Sequence, residues 1–303
     1  MPPDTRHPLA GETIGILAGW GRYPAVVAEA IRRHGGRTAI LAIRGHADAD
    51  LAGLADELGD VGVAELGHAV EFFRRHGCRR ATMAGKIHKK TLFARGAWIR
   101  HLPDWVGLTT FWPHFVTGRC DNRDDSLLGA IAAAFDTRGV RICPATDFAP
   151  ELLAGEGILA GRPLTPRLAA DVAFGWRLAK ELGRHDIGQT VVVKNRAPLA
   201  LEAIEGTDEC IRRAGMLCPA GGMTVVKVAK PAQDLRFDMP TIGVGTIESV
   251  AAAGAAVLAI EAGRTILVDK PALAARAAAA GITIASFCDA AGVPLLDDNA
   301  AAA

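Results

Sequence analysis

This chain encodes an α/β protein in two domains, a parallel-sheet half followed by an α+β half. Its 303 residues exceed what one core of ordinary size needs. In the first half, short apolar runs alternate with amphipathic stretches at the spacing of βαβ units, which implies a parallel sheet joined by right-handed crossovers. In the second half, two strand-like runs, 190–193 and 199–201, come in succession before the next helix.

Residues 13–18 read as a buried strand, Gly19 to Pro24 as a turn, and 25–34 as a helix stopped by Gly35-Gly36. Strands follow at 38–43 and 80–84, with a helix over 67–76 that carries Val70, Phe72 and Phe73 between them. An apolar helix spans 127–135, and a strand over 140–143 ends just before Asp147. The Gly-rich stretch 153–160, with Pro163 and Pro166 after it, has the composition of a linker and divides the chain into domains 1–158 and 159–303. A helix over 166–182 places Leu168, Val172, Trp176 and Leu178 at helical spacing. Further strands are expected at 223–228, 241–244, 257–260, 265–268 and 282–286, with a short helix from Thr207 and another over 271–280. No repeat of solenoid length is present.

Half the residues are apolar, 22% are charged and the net charge is +1. That balance fits a soluble globular protein and argues against a basic nucleic-acid footprint. The six cysteines are scattered, with no C-x-x-C pair, so they are expected to be reduced, buried thiols. The first residues lack a secretory pattern, and the longest apolar run, 250–260, is too short for a bilayer. A cytoplasmic protein, soluble or peripheral on a membrane, is the expectation.

Four constellations could carry chemistry. The densest is 227–243, where Lys227, Lys230, Gln233, Asp234, Arg236 and Asp238 crowd a loop fenced by Pro231, Pro240 and Gly243. Cations beside carboxylates suit the holding of a polyphosphate and its metal, or form ordinary surface ion pairs. The turn Gly19-Trp20-Gly21 could offer backbone N–H groups to a phosphate, or be a plain tight turn. Pro24 stands in the place of the last glycine of a dinucleotide fingerprint, which disfavours a nicotinamide-dependent oxidoreductase. Gly85-Lys86, followed by Ile87, His88, Lys89 and Lys90, lies at a strand's carboxyl end, where open sheets bind ligands. Around Gln189, the acids Glu202, Glu205 and Asp208 supply hard oxygen ligands suited to Mg²⁺, while Thr207 and Asp208 also read as a helix cap and first helical residue. Finally, Trp98, Trp105 and Trp112 lie among Arg95, Arg100, His101 and His114. Such a stretch makes an interfacial segment, an acyl-chain groove or a packed helical lid.

The loop also resembles a known family. Lys230, Pro231, Gln233, Arg236, Asp238, Pro240, Thr241, Ile242 and Gly243 fill the pattern of the LpxI-type UDP-2,3-diacylglucosamine pyrophosphatases of lipid A synthesis. The similarity extends to Asp186–Gln189 and 201–208, with one departure: the family has three glycines where this chain has Gly19-Trp20-Gly21. The resemblance implies a Rossmann-like N-terminal domain and a C-terminal catalytic domain. It also implies hydrolysis to UMP and 2,3-diacylglucosamine 1-phosphate with Mg²⁺, and transient contact with the cytoplasmic face of the inner membrane. Nucleic acid is not an expected partner; a homodimer is an open option. Carried over, Asp238 is the essential aspartate, with Asp234 its close competitor. Beside it, Gly19, Trp20, Gly85, Lys86, Asp147, Gln189, Thr207, Asp208, Lys227, Lys230, Gln233 and Arg236 are the expected substrate contacts, and Asp238, Asp208 and Glu205 the expected metal ligands. The alternative is a non-catalytic nucleotide-sugar or lipid-binding module on the same fold.

Overall fold

A computed structural model describes residues 9–87, 102–115, 124–231 and 233–288. The chain forms two units, Met1–Pro150 with Asp234–Asp238 and Glu151–Gln233 with Met239–Ala303. Both are α/β.

The first unit is built on five parallel strands: β1 (Thr13–Ala18), β2 (Arg37–Ile43), β3 (Glu57–Val61), β4 (Arg80–Ala84) and β5 (Arg141–Ile142). Their order is β3-β2-β1-β4-β5, so the winding reverses between β1 and β4. That is the switch point of a Rossmann-like sheet. Helix α1 (Tyr23–Arg33) lies against β1, β2 and β4, and its start accepts Pro24 because a first turn needs no N–H there. The opposite layer holds α2 (Leu66–Arg75), α3 (Trp105–Phe115) and α4 (Asp124–Asp136), packed through Leu66, Val70, Phe73 and Phe135 onto Leu41, Ala81 and Ile142. Strand β3 is absent from the sequence expectations. Its residues, Glu-Leu-Gly-Asp-Val, are mostly polar because it is an edge strand, with Leu58 exposed.

The second unit centres on six strands in the order β6-β13-β11-β9-β7-β8. These are β6 (Gly157–Ala160), β7 (Thr190–Lys194), β8 (Ala197–Leu201), β9 (Met223–Lys227), β11 (Ala255–Glu261) and β13 (Thr283–Phe287). Strands β9, β11 and β13 run parallel, whereas β6, β7 and β8 are antiparallel to their neighbours. A separate parallel pair joins β10 (Thr241–Ile242) to β12 (Ile266–Leu267). The stretch read as a linker is in part β6, whose Gly157 and Ile158 pair with Ser286 and Ala285. Its glycines suggest a loop, but an edge strand beside β13 tolerates them.

Strand alternation builds a core on each face. Val191, Val193, Val226, Val257 and Ala259 pack under α5 (Pro166–Arg184) through Val172 and Trp176. Val192, Val225, Leu258 and Ile260 face α6 (Thr207–Leu217), α7 (Val244–Ala252) and α8 (Lys270–Ala280). Asn195 and Arg196, at φ 53° and 58°, make the tight β7–β8 turn. The buried Asp171 of α5 holds it, accepting from the backbone N–H groups of Asn195 at 3.0 Å and Arg196 at 2.6 Å.

A buried ion pair lies inside this unit. Lys180 Nζ donates to both Glu261 oxygens at 2.8 and 2.9 Å, with the side chains 11% and 1% exposed. Glu261 also accepts from the Ala229 N–H at 2.8 Å. Removing one partner leaves a buried charge, so Glu261→Ala should destabilise the protein by about 3–5 kcal/mol. The Lys180→Met/Glu261→Leu double variant should lose less than either single change. Urea unfolding of the three variants checks both statements.

Candidate functional site

At the switch point, the loops leaving β1 and β4 touch. Trp20 N–H donates to Lys86 O at 2.8 Å and Lys86 N–H to Trp20 O at 3.0 Å, an isolated antiparallel bridge. The backbones at Gly19 and Gly85 approach so closely that a Cβ on Gly85 would lie 2.7 Å from the Gly19 carbonyl carbon, and one on Gly19 2.8 Å from Lys86 O. Gly85 also sits at φ +96°. The phosphate-cradle reading needs correction. Gly19 N–H donates to Ala84 O at 2.8 Å and Gly21 N–H to Asp48 Oδ2 at 3.2 Å, so with Trp20 the turn's three N–H groups are engaged within the protein. The glycines serve backbone approach, not a row of open donors.

Beside this contact lies a cavity of about 710 Å³ in the first unit. Its walls are largely apolar, with Leu17, Ile43, Met83, Phe111 and Ile131 among them. Gly19, Gly85, Lys86 and Asp238 line it as well. The expected catalytic aspartate thus shares one chamber with three expected substrate contacts. Its loop is anchored nearby: Phe237 packs on the core, and Arg236 covers that ring, its guanidinium carbon 5.3 Å from the centroid. Arg236 Nε and Nη2 donate to Asp234 at 3.0 and 2.6 Å. That hydrogen-bonded pair pulls the Asp234 carboxyl below its ordinary range and raises Arg236. Helix α3 turns Phe111 to the cavity, while Trp105, Leu108 and Trp112 form one exposed stripe. Residues 88–101 of the aromatic stretch lie outside those described. Asp147 is exposed on a short turn after β5 and is not among the cavity-lining residues.

The second unit gathers other expected contacts. Thr190 and Lys227 are register partners on β7 and β9, and Glu202, following β8, donates its N–H to Thr190 O at 2.9 Å. Thr207 enters from the first turn of α6. Its hydroxyl accepts from Lys227 Nζ at 3.1 Å, donates to Glu202 Oε1 at 3.0 Å and lies 3.3 Å from Thr190 Oγ1. Gln189 N–H donates to Glu202 Oε2 at 3.3 Å, while Gln189 Oε1 is buried without a hydrogen bond. The cap of α6 is Gly206 at φ 85°, not Thr207, whose side chain is drawn into this network. Lys230 Nζ donates to Asp186 at 2.7 Å and its backbone N–H to Gln233 Oε1 at 2.9 Å. Among the expected metal ligands here, Asp208 accepts from Ser249 Oγ at 3.1 Å, and Glu205 accepts from Arg213 at 2.7 Å and Ala203 N–H at 3.1 Å. Among the described residues, no group of three or more His, Cys, Asp or Glu side chains is placed to hold a metal ion.

Models of the LpxI N-terminal and C-terminal domains match residues 13–152 and 155–285. The UDP-2,3-diacylglucosamine pyrophosphatase LpxI of Caulobacter vibrioides is 34% identical over 278 residues, 89% of this chain and 96% of that one. The chain belongs to the LpxI family. Among solved structures, the biotin carboxylase domain of Hydrogenobacter thermophilus 2-oxoglutarate carboxylase aligns at TM-score 0.25 and 13% identity, covering 68% of this chain and 41% of that one. That likeness is too slight to bear on fold or function.

In this LpxI chain the described cysteines form no disulfide, and burial pushes the Cys78 and Cys210 thiols up to about 12. Neither is a thiolate nucleophile at neutral pH. Two expectations follow from the geometry. Gly85→Ala must strain a backbone at positive φ against Gly19, lowering stability by roughly 1–3 kcal/mol, read as a fall in Tm. The Asp234–Arg236 pair contributes a pH-dependent increment. The folded carboxyl titrates below the ordinary value of about 3.9, so the stabilisation is complete above that pH and lost as pH falls through the folded value. The stability difference between wild type and Asp234→Asn should hold steady from about pH 5 to 8, at about 1 kcal/mol or less because the pair is part exposed, and shrink below about pH 4 in urea titrations.

Proposed function

We propose that this chain hydrolyses the pyrophosphate bond of UDP-2,3-diacylglucosamine, releasing UMP and 2,3-diacylglucosamine 1-phosphate for lipid A synthesis. Family membership supports the reaction, and one structural observation carries it: a largely apolar chamber at the switch point that also holds Asp238 and Lys86. Such a chamber suits an amphiphile whose acyl part needs apolar walls and whose phosphate part needs charge. Asp238 is read as the catalytic carboxylate, orienting the water and taking its proton. Lys227, Lys230 and Arg236 neutralise phosphate charge, Arg236 with the fork geometry that phosphate oxygens match. Gln189 offers a buried acceptor to the nucleotide sugar.

The donor set fits Mg²⁺, which takes one or two carboxylates and fills its shell with waters and substrate phosphates. Asp238, which lines the cavity, would hold it; Asp208 and Glu205 accept from Ser249 and Arg213. When bound, the ion supplies charge neutralisation on phosphate oxygens. No described helix is long and apolar enough to cross a membrane. The exposed Trp105, Leu108 and Trp112 of α3 support peripheral contact with the inner membrane's cytoplasmic face.

Purified protein should release UMP from UDP-2,3-diacylglucosamine and lose that activity in EDTA. Asp238→Ala should lower turnover by roughly 10²–10⁴-fold with its circular dichroism unchanged. A variant keeping more than about a tenth of wild-type turnover removes Asp238 from the role.

A further inference from the structure

The hydroxyl of Thr207 sits among three neighbours, and its hydrogen bonding can be counted. A threonine hydroxyl has one proton and two lone pairs. An ionised carboxylate only accepts and an ammonium only donates. The proton of Thr207 therefore goes to Glu202, at 3.0 Å, and one lone pair receives Lys227, at 3.1 Å. The second lone pair is left for Thr190, at 3.3 Å, which must then be the donor. Thr207 is saturated and has no proton to give a substrate oxygen. This arrangement lies deep in the unit: Glu202 and Lys227 are each 7% exposed and Thr190 is fully buried. Resting on the reaction proposed above, we infer that Glu202 is a positioning residue for it. By claiming the Thr207 proton, Glu202 turns that oxygen's lone pairs outward and fixes the Lys227 ammonium at the end of β9. Thr207 is the coupling group between them, not a substrate contact.

Glu202 is suited to this because both its oxygens are acceptors in use. Oε1 takes the Thr207 proton and Oε2 takes the Gln189 N–H, at 3.3 Å. A carboxamide of the same shape can keep the Gln189 bond only by turning its NH₂ group to Thr207, whose oxygen must then accept and whose proton must go to Thr190. Glu202→Gln therefore keeps the volume but reverses the Thr207 bond and removes the carboxylate's claim on its proton.

The test is a double-mutant cycle on UMP release from UDP-2,3-diacylglucosamine, read beside thermal unfolding. Glu202→Gln should lower kcat by about 10- to 100-fold, the scale of a misplaced catalytic group, with Tm within a few degrees of wild type. Added to Lys227→Ala, it should lower turnover by less than about twofold more, because the group it positions is already gone. Thr207→Val should match Glu202→Gln, and Thr207→Ser, which keeps the hydroxyl, should restore most of the loss. Losses that multiply in the Glu202→Gln/Lys227→Ala variant overturn the role, as does wild-type kcat in Glu202→Gln. If Glu202→Gln fails to fold, the Thr207 pair decides: equal turnover of the valine and serine forms overturns the coupling. A wild type that releases no UMP overturns the reaction itself, and the role with it. A wild type that turns over while the losses multiply overturns only the role of Glu202.

Discussion

In both units the central strands pair in parallel, and parallel strands must be joined by crossovers that bring their carboxyl ends to one edge. In the first unit this leaves Gly19 after β1 and Gly85 after β4, neighbours across the point where the winding reverses. Their backbones are in contact, and the Trp20–Lys86 bridge locks them there. The cavity follows from the same geometry. Two loops that diverge at a reversal leave a crevice, and the bridge narrows it without filling it.

The second unit reaches its polar cluster by a different route. Antiparallel pairing of β7 with β9 and β8 sets Thr190, Lys227 and Glu202 in a row across three strands. The row depends on register, and register depends on the Asn195-Arg196 turn held by Asp171. A slip of one residue in that hairpin would turn Glu202 to the face of the sheet that packs under α5. A turn far along the strands from Thr207 therefore governs which charged groups meet it.

Much of the fold was legible because buried parallel strands are written as short apolar runs, such as 13–18 and 223–228. The misses share a cause. Strand β3 and strand β6 are edges, with one side solvated or glycine-bearing, so each carries too little apolar signal to be read. The candidate loop stands out in the sequence because its pattern is confined to one short stretch, Lys230 to Gly243. The cavity was not legible, because its walls come from four strands, three helices and the Phe237 loop, and no local pattern records that convergence. Two local readings also failed on tertiary grounds. Backbone donors at Gly19, Trp20 and Gly21 are consumed by neighbours distant in sequence, and the Thr207 hydroxyl is taken from helix capping by Lys227 and Glu202.

The polar cluster of the second unit also has an electrostatic logic of its own. An ammonium buried as far as Lys227 is unfavourable unless polar and charged neighbours compensate its desolvation. The carboxylate of Glu202 lies one hydroxyl away, joined to Lys227 through Thr207. Thr207, held between the carboxylate and the ammonium, ties the start of α6 to β9 and to the residue that follows β8.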